Sequence, residues 1–325
     1  MNAMSNVILK IANLKTHFFT RRGVVKAVDG VDFELRRGEC LCLVGESGCG
    51  KTVTALSILG LIDSPPGRIV DGEVRYDNLD LVKCSARQLR QIRGKEIAMV
   101  FQEAQSALNP VLTVGDQIIE QMKIHLPMEH REAHNRALSL LEEMGVPSVE
   151  RVMSSYPHQL SGGMKQRALI AMSLTCDPQI LIADEPTTAV DVTIKAQILD
   201  IFRDLKAKRQ MSLVFITHDL AVVAEIGDRA VVIYGGKNIE SAPVSEIIGS
   251  PKHPYTAGLI GCLPDISQTT DRLASIPGNT PSPIDLPQGC SFHPRCSKVM
   301  EVCSQREPAQ IAISQEHQVS CHLYQ

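Results

Sequence analysis

The sequence predicts an α/β fold with a mostly parallel sheet, an antiparallel β region, a helical subdomain and a small irregular, cysteine-rich C-terminal extension. Three observations carry this prediction. Short apolar runs that end in polar residues alternate with helical patterns, as strands and crossover helices do in parallel sheets. A long stretch between two of these runs has helical periodicity. Proline-rich chain with spaced cysteines follows the last run.

The composition is that of a globular protein with one large domain and an appendage, or with two domains. Of the 325 residues, 44% are hydrophobic and 21% are charged. The formal net charge of −3 gives no basic surface, so we expect no nucleic acid among the partners. No apolar run reaches the roughly 18 residues of a membrane span, and the first residues do not have the layout of a secretory signal. We therefore expect a cytosolic protein.

Hydrophobic periodicity divides the chain into regions. Residues 7–40 have the pattern of antiparallel strands with turns, whereas the stretch from about 103 to 172 is helical. Strands and helices then alternate until the core ends near Ile239. We predict a nucleotide-binding domain at 1–240, which includes the helical subdomain, and a C-terminal extension at 241–325.

A glycine-rich turn with the spacing G-x-x-x-x-G-K-S/T lies between an apolar run and a helical pattern. The backbone N–H groups of such a turn can surround phosphate oxygens, and the following helix directs its positive end toward them. Lys51 can reach the outer phosphates, and the hydroxyl of Thr52 can bind Mg²⁺. The flanking strand and helix favour nucleotide binding over a chance glycine turn. The predicted nucleotide contacts are Gly45, Glu46, Ser47, Gly48, Cys49, Gly50, Lys51 and Thr52.

Two further apolar runs end in side chains that suit phosphoryl transfer. QILIADEPTTAVD places Asp184 at the end of a strand, as a Mg²⁺ ligand, and Glu185 next to it, as the base that aligns the attacking water. An isolated Asp-Glu pair is usually a surface turn, but its position after the glycine-rich turn favours the catalytic interpretation. SLVFITHDL ends at His218, which could hydrogen-bond the terminal phosphate, although a lone histidine is more often structural.

An apolar helix opens with Ser161, Gly162 and Gly163 in LSGGMKQRALIAM. Free N–H groups and the helix dipole favour an anion there, and phosphoryl transfer needs a second group that stabilises charge on the γ-phosphate. Taken alone, the stretch does not outweigh the interpretation as an ordinary capped helix.

In this order, the motifs resemble those of the ATP-binding subunits of ABC transporters, a family of P-loop NTPases. GESGCGKT resembles the P-loop of that family, LSGGM its signature, LIADEP its carboxylate-bearing strand, THD its histidine motif and MVFQEAQSALNP its glutamine loop. The resemblance covers nearly the whole chain. It implies an ABC ATPase fold that hydrolyses ATP with the help of Mg²⁺.

The resemblance also implies roles for single residues. It assigns Gln102 to Mg²⁺ and to contact with a membrane subunit, Asp191 to contact between paired ATPase subunits, and Phe18 to stacking on adenine. In this family two ATPase subunits pack head to tail, so Ser161, Gly162 and Gly163 would serve the nucleotide of the partner. A single copy would then bind ATP but hydrolyse it slowly.

Four of the ten cysteines form a spaced set in the extension, at Cys290, Cys296, Cys303 and Cys321, with 5, 6 and 17 residues between them. Cys262 also lies in the extension but does not belong to this set, and we interpret it as a packed helix residue. Disulfides are disfavoured in a reducing compartment. Structural zinc usually takes its ligands in pairs about 2–4 residues apart, whereas an iron–sulfur cluster accepts thiolates over longer spacings. The spacing alone leaves zinc and iron–sulfur open.

The tail is similar to that of ATPase subunits from oligopeptide, dipeptide and nickel importers, on the stretches HPYTAGLI and GCSFHPRC. Because some of these carry a 4Fe–4S cluster on a matching cysteine set, the resemblance favours such a cluster here, with a structural role. It implies peptide uptake at the cytoplasmic face of the inner membrane. The implied partners are a second ABC ATPase subunit, two integral membrane permeases and an extracytoplasmic substrate-binding protein.

Three alternatives stay open at this point. Nickel, glutathione or an antimicrobial peptide could replace nutrient peptides, since other subunits select the cargo. A soluble ABC ATPase acting on DNA or ribosomes would have a second cassette or a basic arm, and this sequence has neither. A metal-cluster sensor would not co-purify with integral membrane subunits.

Overall fold

The computed structural model describes residues 6–102, 107–188, 190–263 and 275–325. The chain divides into two compact units. The first contains Met1–Lys83 and Ile216–Gln325, and the second contains Cys84–Phe215. The second unit is therefore an insertion in the sequence of the first.

The secondary structure of the described chain follows the predicted alternation of strands and helices. The strands are β1 (Val7–Thr20), β2 (Gly23–Arg36), β3 (Cys40–Val44), β4 (Gly67–Tyr76), β5 (Leu79–Asp80), β6 (Ile97–Val100), β7 (Ile180–Asp184), β8 (Ser212–Thr217), β9 (Arg229–Tyr234), β10 (Lys237–Pro243), β11 (Ile311–Ala312) and β12 (Gln318–Val319). The helices are α1 (Lys51–Ile58), α2 (Ala86–Ile92), α3 (Val114–His125), α4 (His130–Glu143), α5 (Val149–Met153), α6 (Gly162–Ser173), α7 (Val192–Arg209), α8 (Leu220–Ile226), α9 (Val244–Gly249) and α10 (Pro254–Gly261).

An antiparallel sheet with the strand order β2-β1-β4-β5 begins the first unit. Leu9 and Leu14 on β1 and Leu35 on β2 are fully buried, while other residues of both strands are exposed. This separation into a buried and an exposed face is typical of antiparallel sheets. The sheet confirms the predicted antiparallel β region.

A second set of strands in the first unit carries the glycine-rich turn. β3 pairs in parallel with β9, with Leu41 opposite Arg229 and Val44 opposite Val232. The order continues through β10 and β12 to β11, all antiparallel. Every residue of β3 is buried, as expected for a strand covered on both faces. Because β11 and β12 come from the C-terminal extension, the extension adds strands to this set.

The second unit combines strands with a group of packed helices. β7 lies between β6 and β8, and β6 runs parallel to β7 with Ile97 opposite Ile180. Helices α3, α4, α5 and α6 pack against one another. Thr113 caps α3 and Ser161 caps α6, because the side chain of each accepts a backbone hydrogen bond at the helix start. The helical region predicted from about residue 103 contains these four helices, and 103–106 lie outside the described residues.

The helix α7 is the longest of those named above, at 18 residues, and it carries charges that include Asp200, Arg203 and Lys208. None of the helices in the described part of the chain combines the length and the apolar character of a membrane span.

Candidate functional site

The P-loop connects β3 to α1 in the first unit, and it packs directly on neighbouring backbone. Gly50 has φ +106°, a conformation that L side chains rarely adopt. A Cβ at Gly50 would collide with the carbonyl oxygen of Ala27, and one at Gly45 with that of Ile233. Glycine is therefore required at both ends of the loop by the chain itself.

Lys51 lies folded onto the P-loop and is only 4% exposed. Its ammonium donates to the carbonyl oxygens of Gly45, at 2.7 Å, and of Glu46, at 3.0 Å. The Sγ of Cys49 lies 3.7 Å from the same nitrogen. Burial raises the pKa of the Cys49 thiol against the opposing effect of the Lys51 charge, so the thiol is protonated at neutral pH and weakly reactive. Thr52 follows in the first turn of α1.

The second unit holds the two predicted carboxylates at the end of β7. Asp184 is the last residue of this strand and is 1% exposed. The carboxylate of Glu185 accepts hydrogen bonds from the hydroxyl of Thr188, at 2.8 Å, and from the amide of Gln102, at 3.4 Å. Two predicted site residues, Glu185 and Gln102, are thus in contact.

Thr188 was not among the predicted site residues. The one signal that could have identified it is its position three residues after Glu185 in a polar turn, where a hydroxyl can reach back to the carboxylate. Its backbone N–H also donates to the carbonyl oxygen of Glu185, at 3.0 Å. The two hydrogen bonds fix both the side chain and the backbone of Glu185.

The remaining predicted residues lie at the ends of elements. Phe18 is half-buried near the end of β1, and His218 is exposed directly after β8, both in the first unit. In the second unit, Ser161 and Gly162 are exposed at the start of α6, next to Gly163, which is half-buried. The exposed Asp191 caps α7, because its carboxylate accepts the N–H of Ile194 at 2.9 Å.

The extension contacts the P-loop, which the sequence did not predict. Arg295 forms an ion pair with Glu46, at 2.6 Å. Thr280 donates to the same carboxylate at 3.1 Å, and the backbone N–H of Glu46 donates to the hydroxyl of Tyr255 at 2.8 Å. Nothing in the sequence signals an ion pair between residues 249 positions apart.

The four spaced cysteines of the extension are all free, and three of them influence Cys290 electrostatically. The N–H of Cys290 donates to the carbonyl oxygen of Cys303, at 2.8 Å. The pKa of Cys290 is raised to about 11, mainly by burial and to a smaller extent by the nearby Cys303, Cys321 and Cys296. Burial is also the main cause that raises the pKa of Cys296 and Cys321.

This arrangement does not support the predicted 4Fe–4S cluster on Cys290, Cys296, Cys303 and Cys321. In the described residues, which include all four cysteines, no group of three or more His, Cys, Asp or Glu side chains could hold a metal ion. A cluster needs thiolates that converge on it from at least this many side chains. The prediction of a metal-binding site in the extension is therefore not supported.

Two family models match the chain. Residues 28–188 match the model described as ABC transporter, and residues 239–303 match the oligopeptide/dipeptide transporter C-terminal region. The oligopeptide transport ATP-binding protein AppD of Bacillus subtilis is 46% identical over 98% of this chain and 98% of its own length. The dipeptide transport ATP-binding protein DppD of the same organism is 46% identical over 97% of this chain and 94% of its own length.

A solved structure has the same fold. The ATP-binding cassette MJ0796, in a dimeric post-hydrolysis state with ADP and Pi, is 27% identical with a TM-score of 0.66. The match covers 73% of this chain and 98% of the cassette. The cassette fold and the near-full-length relatives together show that the chain belongs to the ATP-binding proteins of the ABC transporter family, in the group with the oligopeptide/dipeptide transporter C-terminal region.

Proposed function

We propose that this protein is the ATP-hydrolysing subunit of an ABC importer that takes up dipeptides and oligopeptides. As an ABC ATPase it converts ATP and water into ADP and phosphate. One observation carries the peptide cargo: relatives named as oligopeptide and dipeptide transport proteins align with nearly the whole chain, the extension included.

The P-loop binds the phosphates of ATP, and Phe18 stacks on the adenine. Lys51 supports this role because its buried ammonium already lies against the loop carbonyls, within reach of a phosphate on the same loop. The oxygen donors of Thr52, Asp184 and Gln102 suit Mg²⁺ and would hold it. Mg²⁺ would offset the negative charge of the phosphates.

Glu185 aligns the attacking water and takes its proton, and His218 donates a hydrogen bond to the γ-phosphate. The hydrogen bonds from Thr188 and Gln102 support this role of Glu185, because a base must be held in one orientation to act. The charge that develops on the γ-phosphate is stabilised by the signature helix of a second ATPase subunit. Ser161, Gly162 and Gly163 provide this contact to the partner's nucleotide, and Asp191 lies at the contact between the two subunits.

The protein acts at the cytoplasmic face of the inner membrane. Its partners are a second ABC ATPase subunit, two integral membrane permeases and an extracytoplasmic substrate-binding protein. An exposed apolar side chain directly before Gln102 supports a membrane-subunit contact, because Phe101 is 42% exposed. The ATPase domain spans 1–240, with the helical subdomain at about 103–172, and the extension spans 241–325.

The Glu185→Gln substitution tests the assigned chemistry. It keeps the size and hydrogen-bonding capacity of the side chain but removes the base, so ATP binding should persist while turnover falls by about 100-fold or more. The measurement is phosphate release by the assembled transporter, with Glu120→Gln, an exposed glutamate on α3, as the control. Turnover that stays at the wild-type rate would remove Glu185 from the mechanism.

The same variant tests the cargo. A strain that lacks this protein and requires an amino acid should grow on peptides containing it when the wild-type gene is restored, but not with Glu185→Gln. Accumulation of nickel in the same cells should not depend on the gene. If nickel uptake follows the gene and peptide use does not, the peptide cargo is wrong.

The 4Fe–4S cluster remains a proposal that rests only on the four-cysteine pattern of the family resemblance. It would hold the extension together and takes no part in hydrolysis. Iron and sulfide analysis of protein purified without oxygen decides the matter. Iron and sulfide in equal amounts, with visible absorption, would support the cluster, and colourless protein free of iron would exclude it.

A further inference from the structure

The side chain of Glu46, the second residue of the P-loop, is held by the extension. Its carboxylate accepts hydrogen bonds from Nη1 of Arg295, at 2.6 Å, and from Nη2, at 3.0 Å. Thr280 donates a third, at 3.1 Å. The side chain of Arg295 is only 5% exposed and that of Glu46 is 28% exposed. Because water has little access, this paired geometry is strong and directional.

The guanidinium of Arg295 is held on every side. Nε donates to the carbonyl oxygen of Pro277, at 2.9 Å. The remaining N–H groups face the hydroxyl of Tyr234 and the carbonyl oxygen of Ile276, both at 3.4 Å. Together with the two bonds to Glu46, all five donors have an acceptor. A lysine cannot reproduce this planar set of contacts.

The backbone of Glu46 is fixed as well. Its N–H donates to the hydroxyl of Tyr255, whose ring is fully buried. That ring packs edge-on against Tyr234 and Phe292, with centroids 4.7 and 5.3 Å away. Phe292 lies three residues before Arg295, so one short segment of the extension holds both the side chain of Glu46 and the tyrosine at its backbone.

These contacts reach the nucleotide-binding groups through Lys51. The ammonium of Lys51 rests on the carbonyl oxygens of Gly45 and Glu46, so the position of Glu46 sets one of its two backbone acceptors. The hydrogen bonds from Arg295 lower the pKa of Glu46, so its carboxylate is charged at neutral pH. A charged carboxylate in the P-loop would repel phosphates if no cation offset it.

We propose that Arg295 is a positioning residue for nucleotide binding: it fixes Glu46 and offsets its charge, so that the P-loop is shaped to receive the phosphates of ATP. The inference rests on the proposed role of the P-loop as the ATP site. It gives the C-terminal extension a part in ATP binding, separate from any metal chemistry of its cysteines.

The test measures the affinity of the full-length chain for a fluorescent ATP analogue. Arg295→Ala should weaken binding by about tenfold or more, the effect expected when a buried charge-assisted hydrogen bond is lost. Arg295→Lys should fall between the wild type and Arg295→Ala, because it keeps the charge but not the paired geometry. The double variant Glu46→Gln with Arg295→Ala should recover part of the loss, since the uncompensated charge is gone.

A matched control separates this effect from general loosening of the extension. Arg36 forms an ion pair with Glu316 of the extension, at 2.6 Å, away from the P-loop. Arg36→Ala should therefore leave the affinity unchanged. Thermal melting without nucleotide shows whether each variant is folded. If Arg295→Ala does not fold, Arg295→Lys and the double variant decide the question in its place.

Several outcomes would overturn the proposal. A folded Arg295→Ala variant that binds the analogue as tightly as the wild type would do so. A double variant that binds the analogue no more tightly than Arg295→Ala would also overturn the proposal, because Arg295 would then act only by holding the extension in place. A wild-type chain that binds no analogue would instead count against the proposed ATP site itself.

Discussion

Glu185 adopts a backbone conformation that is unfavourable for its residue type. Its φ is 45°, in the left-handed region. Asn13, Asp77 and Asp177 share this region, but their short polar side chains tolerate it. Glutamate has no such compensation, and the conformation costs about 1–2 kcal/mol. The two hydrogen bonds from Thr188 hold the residue there, so a strained backbone aims the carboxylate that we assign as the base.

The strain predicts a reversed order of stability for two inactive variants. At most positions glycine is less stabilising than alanine, because it loses more conformational entropy on folding. At Glu185 the order should reverse, with Glu185→Gly more stable than Glu185→Ala by about 1 kcal/mol, since only alanine keeps the strain. Both variants lose the carboxylate and its hydrogen bond with Thr188, so the difference between their unfolding free energies reports only the effect of the backbone conformation. Denaturant unfolding of the two chains measures it, and equal or opposite stabilities would contradict the prediction.

The residues to which we assign a chemical role could be proposed from the sequence, whereas the residues that contact them could not. The P-loop, Asp184 and Glu185 could be identified because glycines and carboxylates that follow strands in this order suit the binding of phosphate and Mg²⁺. Arg295 and Tyr255 could not, because an ion pair or hydrogen bond across the fold leaves no pattern along the chain. The spacing of the four cysteines likewise indicated how many thiol ligands were available, but it could not predict how these side chains are arranged in space.

At the scale of elements, one buried carboxylate joins the middle of β10 to two other segments. Glu240 is fully buried and accepts hydrogen bonds from the backbone N–H groups of Lys252, at 2.7 Å, and His253, at 2.9 Å. It also contacts Nε2 of His317, at 2.7 Å. The extension is thereby attached to β10 before α10 begins. His253 then caps α10, since its Nδ1 accepts the N–H of Tyr255 at 3.0 Å.

The His253 cap predicts a loss of stability in acid. Burial lowers the pKa of His253 from 6.5 to about 4. Between these values the unfolded chain binds a proton that the folded chain does not, so stability should fall as the pH drops from about 6.5 to about 4. Above this window the histidine is neutral in both states and contributes no penalty. A protonated ring could no longer accept the N–H of Tyr255, so acid should release the cap.

The variant His253→Asn isolates this effect, because asparagine also caps helices but does not titrate. Thermal melting of both proteins at pH 7 and pH 5 is the measurement. The wild type should lose more stability than the variant over this interval, since carboxylates and other histidines titrate in both. If both proteins lose the same thermal stability between pH 7 and pH 5, His253 does not contribute to the loss of stability in acid.

Helices and strands could be predicted where the pattern of apolar and polar residues extends over enough of the chain to be recognised. The strands β3, β7 and β8 end where their apolar runs end, and the helical region contains α3 to α6. The two-residue strands β11 and β12 have no recognisable period, so the pairing of Glu240 with Val319 could not be foreseen. We place the end of the ATPase domain at residue 240. This boundary falls inside the strand β10.

At the scale of the whole molecule, the described residues impose no steric requirement for glycine at Gly162. A Cβ built there meets none of their atoms within 4 Å, whereas one at the neighbouring Gly163 would meet Ile194 at 3.0 Å. Gly162 is also exposed. A substitution at 162 should therefore be tolerated by the fold of this chain, and the contact that we propose for this position is the nucleotide of a second ATPase subunit.

This argument predicts a variant that folds normally and binds ATP but does not hydrolyse it. Gly162→Asp places a negative charge at a helix start, where it interacts favourably with the dipole, so the chain should melt at the same temperature or slightly higher. Its own P-loop is unchanged and should bind the fluorescent ATP analogue as tightly as the wild type. In the paired complex, the new carboxylate would face the partner's phosphates and lower hydrolysis by at least about tenfold.

The control is the same substitution at Gly249, the last residue of α9, where a Cβ also meets no atom within 4 Å. Gly249→Asp should leave hydrolysis unchanged, which shows that an added charge alone has no effect. For both variants, phosphate release is measured with the assembled transporter. In a second assay, the isolated wild-type ATPase subunit is diluted and its phosphate release per chain is measured. If each site is shared between two subunits as we propose, release per chain should fall on dilution, because the pair dissociates. A strictly monomeric chain with full turnover, or a Gly162→Asp complex as active as the wild type, would refute the shared site.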